Sequence, residues 1–254
     1  MLSHNKPLVT IAVPSLNQGA FLDAALQSIF DQGMPVEVVL LDAGSVDNSA
    51  EIIKKWSSEL LWWRSEPDKG QAAAINEGIE SGTAPFVCWL NSDDIFLPGG
   101  LKILLSELES SPASPAAYGK CWTINSSGRK TVPYPTLPFW PKILKNYCFI
   151  AQPATLIRRR AWESVNGLDE SLQMALDYDL WWRLYGLNGQ LKYINKFIAA
   201  TRRHFAAKTS QRREEHYKEA METVLRHTGK IPVKWHLARP LMVTARSCLQ
   251  RLKK

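Results

Sequence analysis

The sequence predicts an α/β protein: a Rossmann-like, mostly parallel sheet flanked by helices, with a helical extension at the C-terminal end. Three observations predict it. Short apolar runs alternate with amphipathic stretches of about ten residues, the pattern of parallel strands joined by crossover helices. Each run passes directly into polar residues, and such sheets bind ligands at the carboxyl ends of their strands. The composition, 45% hydrophobic and 22% charged over 254 residues, suits a folded chain with a substantial core.

Residues 8–13 form an apolar run closed by Pro14, which predicts a buried strand entering a loop. Apolar residues at helical spacing predict a helix over 21–30. A second β-branched strand over 36–41 stops at Asp42-Ala43-Gly44-Ser45. A helix over 48–56, a third strand over 60–64 and a helix over 71–81 follow, the last with Gly82 as its C-terminal stop. The fourth strand, 86–90, runs into Asn91-Ser92-Asp93-Asp94, and a helix is expected over 101–109.

The segment 110–140 is rich in Pro, Ser and aromatic residues and has weak periodicity, which predicts short strands and loops covering the site. Short helices are expected over 158–165 and 177–185, and a strand over 191–198. The helix over 213–226 sets Tyr217, Met221, Val224 and Leu225 on one face. Over 241–254, Leu241, Met242, Ala245, Leu249 and Leu252 form an apolar stripe opposite Arg246, Arg251 and Lys253.

Charge is unevenly placed. The chain carries +7, but from Thr201 onward 14 Lys and Arg stand against 4 Asp and Glu, a balance of +10, so residues 1–200 carry −3. A basic tail on a near-neutral body implies an anionic neighbour, a membrane surface or a nucleic acid. Cys88, Cys121, Cys148 and Cys248 are far apart and form no CxxC pair, which argues against a zinc site or disulfide framework and for a reducing compartment. Residues 1–7 lack the apolar stretch of a signal peptide, and no run of about 18 apolar residues appears. A cytoplasmic location is the expectation, with peripheral contact to the inner membrane face possible through the basic tail.

Four polar clusters should meet at one edge of the sheet: Ser15 and Asn17 after the first strand, Asp42, Gly44, Ser45 and Asp47 after the second, Asp68, Lys69 and Gly70 after the third, and Asp93 and Asp94 after the fourth. Asn91-Ser92-Asp93-Asp94 offers hard oxygen ligands suited to Mg²⁺ or Mn²⁺, which bridge phosphates; a turn or helix cap uses the same residue types. Asp42 can accept hydrogen bonds from a base or ribose, and Gly44 lets backbone approach a ligand, although a plain turn has the same composition. Lys69 is either a phosphate contact or an exposed loop lysine, and Asn76 either a ligand contact or a solvent-facing helix residue. Asp177 and Asp179 sit at i and i+2 of a helix and point apart, so one of them faces the site as a general base; the other serves the helix N-terminus. Arg202, Arg203 and His204 can meet a diphosphate or metal, or form a solvated basic loop.

Eight short motifs occur in the order found in family 2 glycosyltransferases, and the chain resembles that family from Leu8 to Ser210. They are residues 9–17 (Val-Thr-Ile-Ala-Val-Pro-Ser-Leu-Asn), Asp42 to Asp47, Asp68-Lys69-Gly70-Gln71 through Asn76-Glu77-Gly78, and Leu90 to Asp94. Gln152 to Thr155, Gly167 to Glu170, Asp177 to Trp181 and Arg202-Arg203-His204 complete the set.

The resemblance implies a GT-A fold over 1–210, its nucleotide-binding half about 1–110 and its acceptor-binding half 111–210, followed by a basic helical extension over 211–254. It implies an inverting transfer of a sugar from a nucleotide-sugar, with UDP the expected nucleotide, to a hydroxyl of a saccharide or lipid-linked acceptor in polysaccharide or surface-glycan synthesis. Pro14, Ser15, Asn17, Asp42, Gly44, Ser45, Lys69, Asn76, Asn91, Ser92, Asp93 and Arg202 would hold the nucleotide-sugar. Asp93 and His204 would hold Mn²⁺ or Mg²⁺, Asp177 would be the base with Asp179 its rival, and Gln152 and Trp181 would meet the acceptor. Trp122, Tyr134, Phe139, Trp140 and Trp182 are further candidates for stacking on sugar rings, with buried core the other reading and the one favoured for at least one of Trp181 and Trp182.

Two positions depart from the family pattern: Asn91 replaces the first carboxylate of the DxD motif, and Leu176 precedes Asp177 where many relatives have Glu. A nucleotidyltransferase acting on sugar phosphates could use a similar sheet, but residues 14–19 hold no Arg or Lys for a phosphate loop. A non-catalytic module binding nucleotide-sugar or nucleic acid is the other alternative, and the retained Asp42, Asp93 and Asp177 argue against it; no nucleic-acid partner is expected. No GxGxxG follows the first strand, which disfavours a dinucleotide-binding dehydrogenase.

Overall fold

The structure is a computed structural model describing residues 6–187 and 189–239. The expected helix over 241–254, with Arg246, Cys248, Arg251 and Lys253, lies outside the described residues.

The first half is a regular β/α alternation. It comprises β1 (Val9–Ser15), α1 (Gly19–Phe30), β2 (Val36–Asp42), α2 (Ser49–Trp56), β3 (Trp62–Ser65), α3 (Gln71–Glu80) and β4 (Phe86–Trp89). β1 pairs in parallel with β2 and β4, and β2 in parallel with β3. These elements lie within one or two residues of the predicted bounds. The apolar runs of β1, β2 and β4 are buried on both faces and leave little choice of register, whereas the edge strand β3 is largely exposed.

The second half adds β5 (Ile95–Phe96), α4 (Gly100–Glu109), β6 (Ala116–Ile124), β7 (Lys130–Pro133) and α5 (Pro141–Leu144). A 3₁₀ turn at Gln152–Ala154 then leads into β8 (Thr155–Arg158), α6 (Arg159–Ser164), α7 (Leu176–Tyr185) and β9 (Lys192–Arg202). The described chain ends with α8 (Lys208–Gln211), α9 (Arg213–Thr228) and α10 (Val233–Arg239). Among the described residues the strands form one nine-stranded sheet in the order β3-β2-β1-β4-β8-β6-β9-β5, with β7 paired to β6 off that path. β8 is antiparallel to both neighbours, and β6 and β9 are parallel.

Two expectations need correcting here. The segment 110–140 holds more than short covering strands: β6 is a nine-residue strand inside the sheet, with only Lys120 and Trp122 partly exposed. Burial on both faces removes the polar–apolar alternation that marks a strand. Its Gly119 answers a close approach, since a Cβ there would lie 2.3 Å from Ile198 Cγ1, where the β6–β9 register shifts. On α9, Tyr217, Ala220 and Val224 are buried while Leu225 is exposed, so the apolar face is rotated from the one expected.

Side chains alternate across the sheet. Val9, Ile11 and Val13 pack with α1, α4 and Ile53 of α2 on one face. Ala12, Val87, Trp89 and Tyr118 pack with α3, α6, α7 and α9 on the other. α3 lies close on the sheet through Gly78, where a Cβ would come within 2.8 Å of Ala12 Cβ. Tyr217, Ala220, Val224 and Trp235 join this second core, so residues beyond 210 pack against the body of the fold. No helix among the described residues is long and apolar enough to cross a membrane.

Candidate active site

A cleft of about 1430 Å³ opens at the carboxyl ends of β1, β2 and β4 and is closed on the far side by the segments around α7, α8 and α9. Pro14, Ser15, Asn91, Ser92, Asp93, Gln152, Asp177, Arg202 and His204 line it. Ser15 Oγ is buried in the cleft wall without a hydrogen-bond partner among the described residues, a group that a ligand can satisfy.

At the end of β4, Asp93 and His204 meet across the cleft floor, with Oδ2 and Nε2 2.9 Å apart. Arg202, the last residue of β9, secures this pair. Its Nε donates to the Asp93 carbonyl at 2.9 Å and its Nη1 to the carbonyls of Asn125 and Ser126. Its guanidinium lies 4.7 Å from the Phe21 ring centroid, and the His204 ring packs on the same Phe21. Three carbonyls thus engage Nε and Nη1 of Arg202, while the residue remains part of the cleft lining. Arg203, which is exposed, and Lys208, Arg212 and Arg213 also line the cleft.

Asp94 is buried and takes the Arg202 backbone N–H at 2.8 Å. Burial, then the adjacent Asp93 charge, push its carboxyl up to about 8. Asn91 is the hub of an amide network: Gln71 Nε2 donates to its Oδ1 at 2.9 Å, and its Nδ2 donates to Gln152 Oε1 at 3.2 Å and Asp94 Oδ2 at 3.3 Å. Gln152 Nε2 donates in turn to the Trp89 carbonyl at 2.8 Å. An aspartate at position 91 could not donate to either partner, which gives the departure at this position a physical reason.

Asp177, the second residue of α7, lines the cleft and accepts the Tyr178 N–H at 2.8 Å. Burial raises its carboxyl to about 6, against the smaller opposing effect of backbone hydrogen bonds. Asp179 is a different kind of group. It is 1% exposed and bound to Arg183 at 2.6 Å and His227 at 2.7 Å, with Arg226 at 3.4 Å. Burial presses its carboxyl upward, but the His227 and Arg183 contacts outweigh this and hold it below the usual range. Asp179 is therefore corrected from rival base to the centre of a buried ion cluster, which does not line the cleft.

Several other expected contacts hold loops instead of facing the cleft. Asp42 is fully buried and accepts the Ser45 N–H at 2.8 Å, the Ser45 hydroxyl and the Ser65 hydroxyl at 2.6 Å. Asn17, in a left-handed conformation, donates its N–H to Ser45 Oγ at 2.7 Å and accepts the Val46 N–H at 2.9 Å, locking the first two loops together. Gly44 adopts φ +81°, and a Cβ there would lie 3.5 Å from Pro67. Ala43 is the residue of this loop that reaches the cleft. Lys69 is exposed and borders a separate hollow of about 350 Å³ with Asn76. Asn76 is engaged with Leu168 N–H at 2.8 Å, Leu168 O at 3.0 Å and Glu170 at 3.0 Å.

Trp181 is corrected outright as an acceptor contact: it is fully buried and stacks on Trp89, ring centroids 6.2 Å apart. Trp182 is likewise buried, and Trp122 stacks on Phe197 at 4.5 Å. Among the aromatic candidates, Tyr134 lines the cleft. Gln71, which lies in the Asp68-Lys69-Gly70-Gln71 motif, lines it as well, as do Gln173 and His216, which no local motif marks; segments distant in the chain bring these two to the cleft.

Among the described residues no group of three or more His, Cys, Asp or Glu side chains gathers as a metal cage. Asp93 and His204 fit a different mode, in which one or two protein ligands are completed by substrate phosphates. Two adjacent ligands of an octahedral ion with bonds of about 2.1 Å lie about 3 Å apart, close to the spacing of this pair.

The family model described as "Glycosyl transferase family 2" matches residues 10–165. A chondroitin synthase of Pasteurella multocida is 26% identical over 196 residues, which are 76% of this chain and 20% of that protein. A hyaluronan synthase of the same species is 26% identical over 193 residues, 75% of this chain and 20% of that protein. The chain thus spans about a fifth of the length of these relatives. Among solved structures, S. aureus TarS 1-349 in complex with UDP-GlcNAc superposes with a TM-score of 0.70 at 18% identity, over 87% of this chain and 66% of that one. A mannosyltransferase of Pyrobaculum calidifontis in complex with GDP-Man and Mn²⁺ gives 0.67 at 17% identity, over 96% and 74%. These likenesses show the GT-A fold, and with the family model matched over more than half of its length, the chain belongs to glycosyl transferase family 2.

Proposed function

We propose that this protein transfers a sugar from a nucleotide-sugar, with UDP the nucleotide first expected, to a hydroxyl of a saccharide or lipid-linked acceptor with inversion at the anomeric carbon. One observation carries the reading: a single cleft holds both the Asp93–His204 pair and Asp177, a carboxylate with a raised pKa and no cationic partner among its hydrogen bonds.

Each group then has a task. Ser15, with its unsatisfied hydroxyl, and the backbone around Pro14 and Ala43 receive the nucleoside. Asn17, Asp42, Gly44 and Ser45 act at one remove by fixing those loops. Asp93 and His204 would hold a divalent cation, Mn²⁺ or Mg²⁺, which would offset charge on the departing diphosphate. Arg202 keeps Asp93 in place, and Arg203 and Lys208 add positive charge at the cleft wall. Asp177 takes the proton of the acceptor hydroxyl during attack; a base of pKa about 6 is ionised at neutral pH yet still basic. Gln152 and Tyr134 are the proposed acceptor contacts.

The test is a screen of UDP- and GDP-sugars with Mn²⁺ and saccharide acceptors, read as nucleotide release. Release from at least one donor, stimulated by an acceptor, is the expected result. Binding without release across the panel would favour a non-catalytic nucleotide-sugar module. A membrane contact through the basic residues beyond 240 is part of the same proposal; equal liposome flotation of the full chain and a truncation after Lys230 would dismiss it.

A further inference from the structure

We infer that Glu219 of α9 is a positioning residue that holds the loop before α7 and so sets the place of Asp177 in the cleft. The inference rests on the reading of Asp177 as the base, and goes beyond it to the group that would aim it.

Three consecutive backbone amides converge on the Glu219 carboxylate. Gln173 N–H lies 3.0 and 3.1 Å from its two oxygens, Met174 N–H 2.7 Å from Oε2 and Ala175 N–H 3.0 Å from Oε2. Ala175 immediately precedes α7, and Asp177 is two residues further on. Amides at a helix start have no partner within the helix, and a carboxylate satisfies both their hydrogen bonds and the positive end of the helix dipole. The loop is also cleft wall, since Gln173, Met174, Leu176 and Asp177 all line the cavity. Glu219 does not line it, so it acts through the loop.

The tether is non-local, joining residues 44 to 46 positions apart. α9 has its own anchorage in the core through Tyr217, Ala220 and Val224, and the Tyr217 hydroxyl donates to the Trp235 carbonyl at 2.6 Å. Removing the Glu219 carboxylate should therefore free the loop without unseating the helix. Misplacement of a catalytic group by about 1 Å costs on the order of 10²-fold in rate.

The experiment compares wild type, Glu219→Ala and Glu219→Gln in the full chain. Amide hydrogen exchange at 173–175 is followed, together with kcat and KM for the donor that the screen identifies, and Mn²⁺–UDP affinity by calorimetry. In Glu219→Ala, exchange at 173–175 should accelerate about tenfold or more, and kcat should fall at least tenfold with donor KM and Mn²⁺–UDP affinity within about twofold. Glu219→Gln keeps an acceptor oxygen and should recover part of both losses. Unaltered exchange in Glu219→Ala overturns the tether. Accelerated exchange with unchanged kcat overturns the positioning role, as does a loss of Mn²⁺–UDP affinity as large as that of kcat. A wild type that turns over none of the nucleotide-sugars counts against the transfer reading alone, because the exchange result is independent of turnover.

Discussion

Asp93 Oδ2 and His204 Nε2 lie 2.9 Å apart although 111 residues separate them in the chain. β4 delivers one and the end of β9 the other, and Arg202 and Phe21 hold them together. Asp93→Ala or His204→Ala should lower Mn²⁺-dependent affinity for UDP by about 10- to 100-fold, leaving the weaker metal-free binding unchanged. Calorimetry with and without Mn²⁺ measures both terms, and unchanged affinity in Mn²⁺ would count against the pair as metal ligands.

The raised Asp177 carboxyl has two consequences of opposite value. As the base it must be ionised, so kcat/KM should rise with pH to a plateau, with an acid limb near pH 6. For stability the sign is reversed: between about pH 4 and 6 the folded state binds more protons at Asp177 than the unfolded chain, so stability falls as pH rises through that window. Asp177→Asn removes this penalty and should stabilise the protein at pH 7 by about 1–2 kcal/mol, allowing for screening by the open cleft. Urea unfolding at pH 4 and pH 7 checks it; the gain should appear at pH 7 only.

Asp179 predicts the contrary. Its replacement by Ala leaves Arg183 and His227 without their buried partner, and Arg226 without one of its two, and should cost about 3–5 kcal/mol in urea unfolding. A cost below about 1 kcal/mol would mean that the cluster is more hydrated than its 1% exposure implies.

Asn91→Asp restores the family's DxD carboxylate but removes the donor to Gln152 and Asp94 and sets a third acid beside Asp93 and Asp94. Without metal it should lose about 1–3 kcal/mol; Mn²⁺ should return part of that loss. Thermal denaturation with and without Mn²⁺ decides, and equal metal-free stability would show that the amide network contributes little.

Much of this was legible in the sequence. Strands β1 to β4 and the helices between them announce themselves because apolar runs and helical spacing alternate cleanly, and the same alternation places Ser15, Asp42 and Asp93 at one edge. What was not legible depends on tertiary neighbours. β6 has no polar face to mark it, because helices cover both sides of the sheet. The contrast between Asp177 and Asp179 depends on Arg226 and His227 of α9, which stand 47 and 48 residues beyond Asp179 in the chain. Trp181 reads like a sugar platform in sequence and is core in fact, because Trp89 covers it. Asp42 and Asn17 look like ligand contacts, yet their hydrogen bonds serve to lock loops to one another.

Turnover and binding in Asp177→Asn, measured on one preparation, test the central claim most directly. Nucleotide release from the donor that the wild type uses should fall by about 10³-fold or more, while Mn²⁺–UDP affinity stays within about twofold. Retained turnover in that variant, with the protein folded and the nucleotide bound, would contradict the assignment of Asp177 as the base.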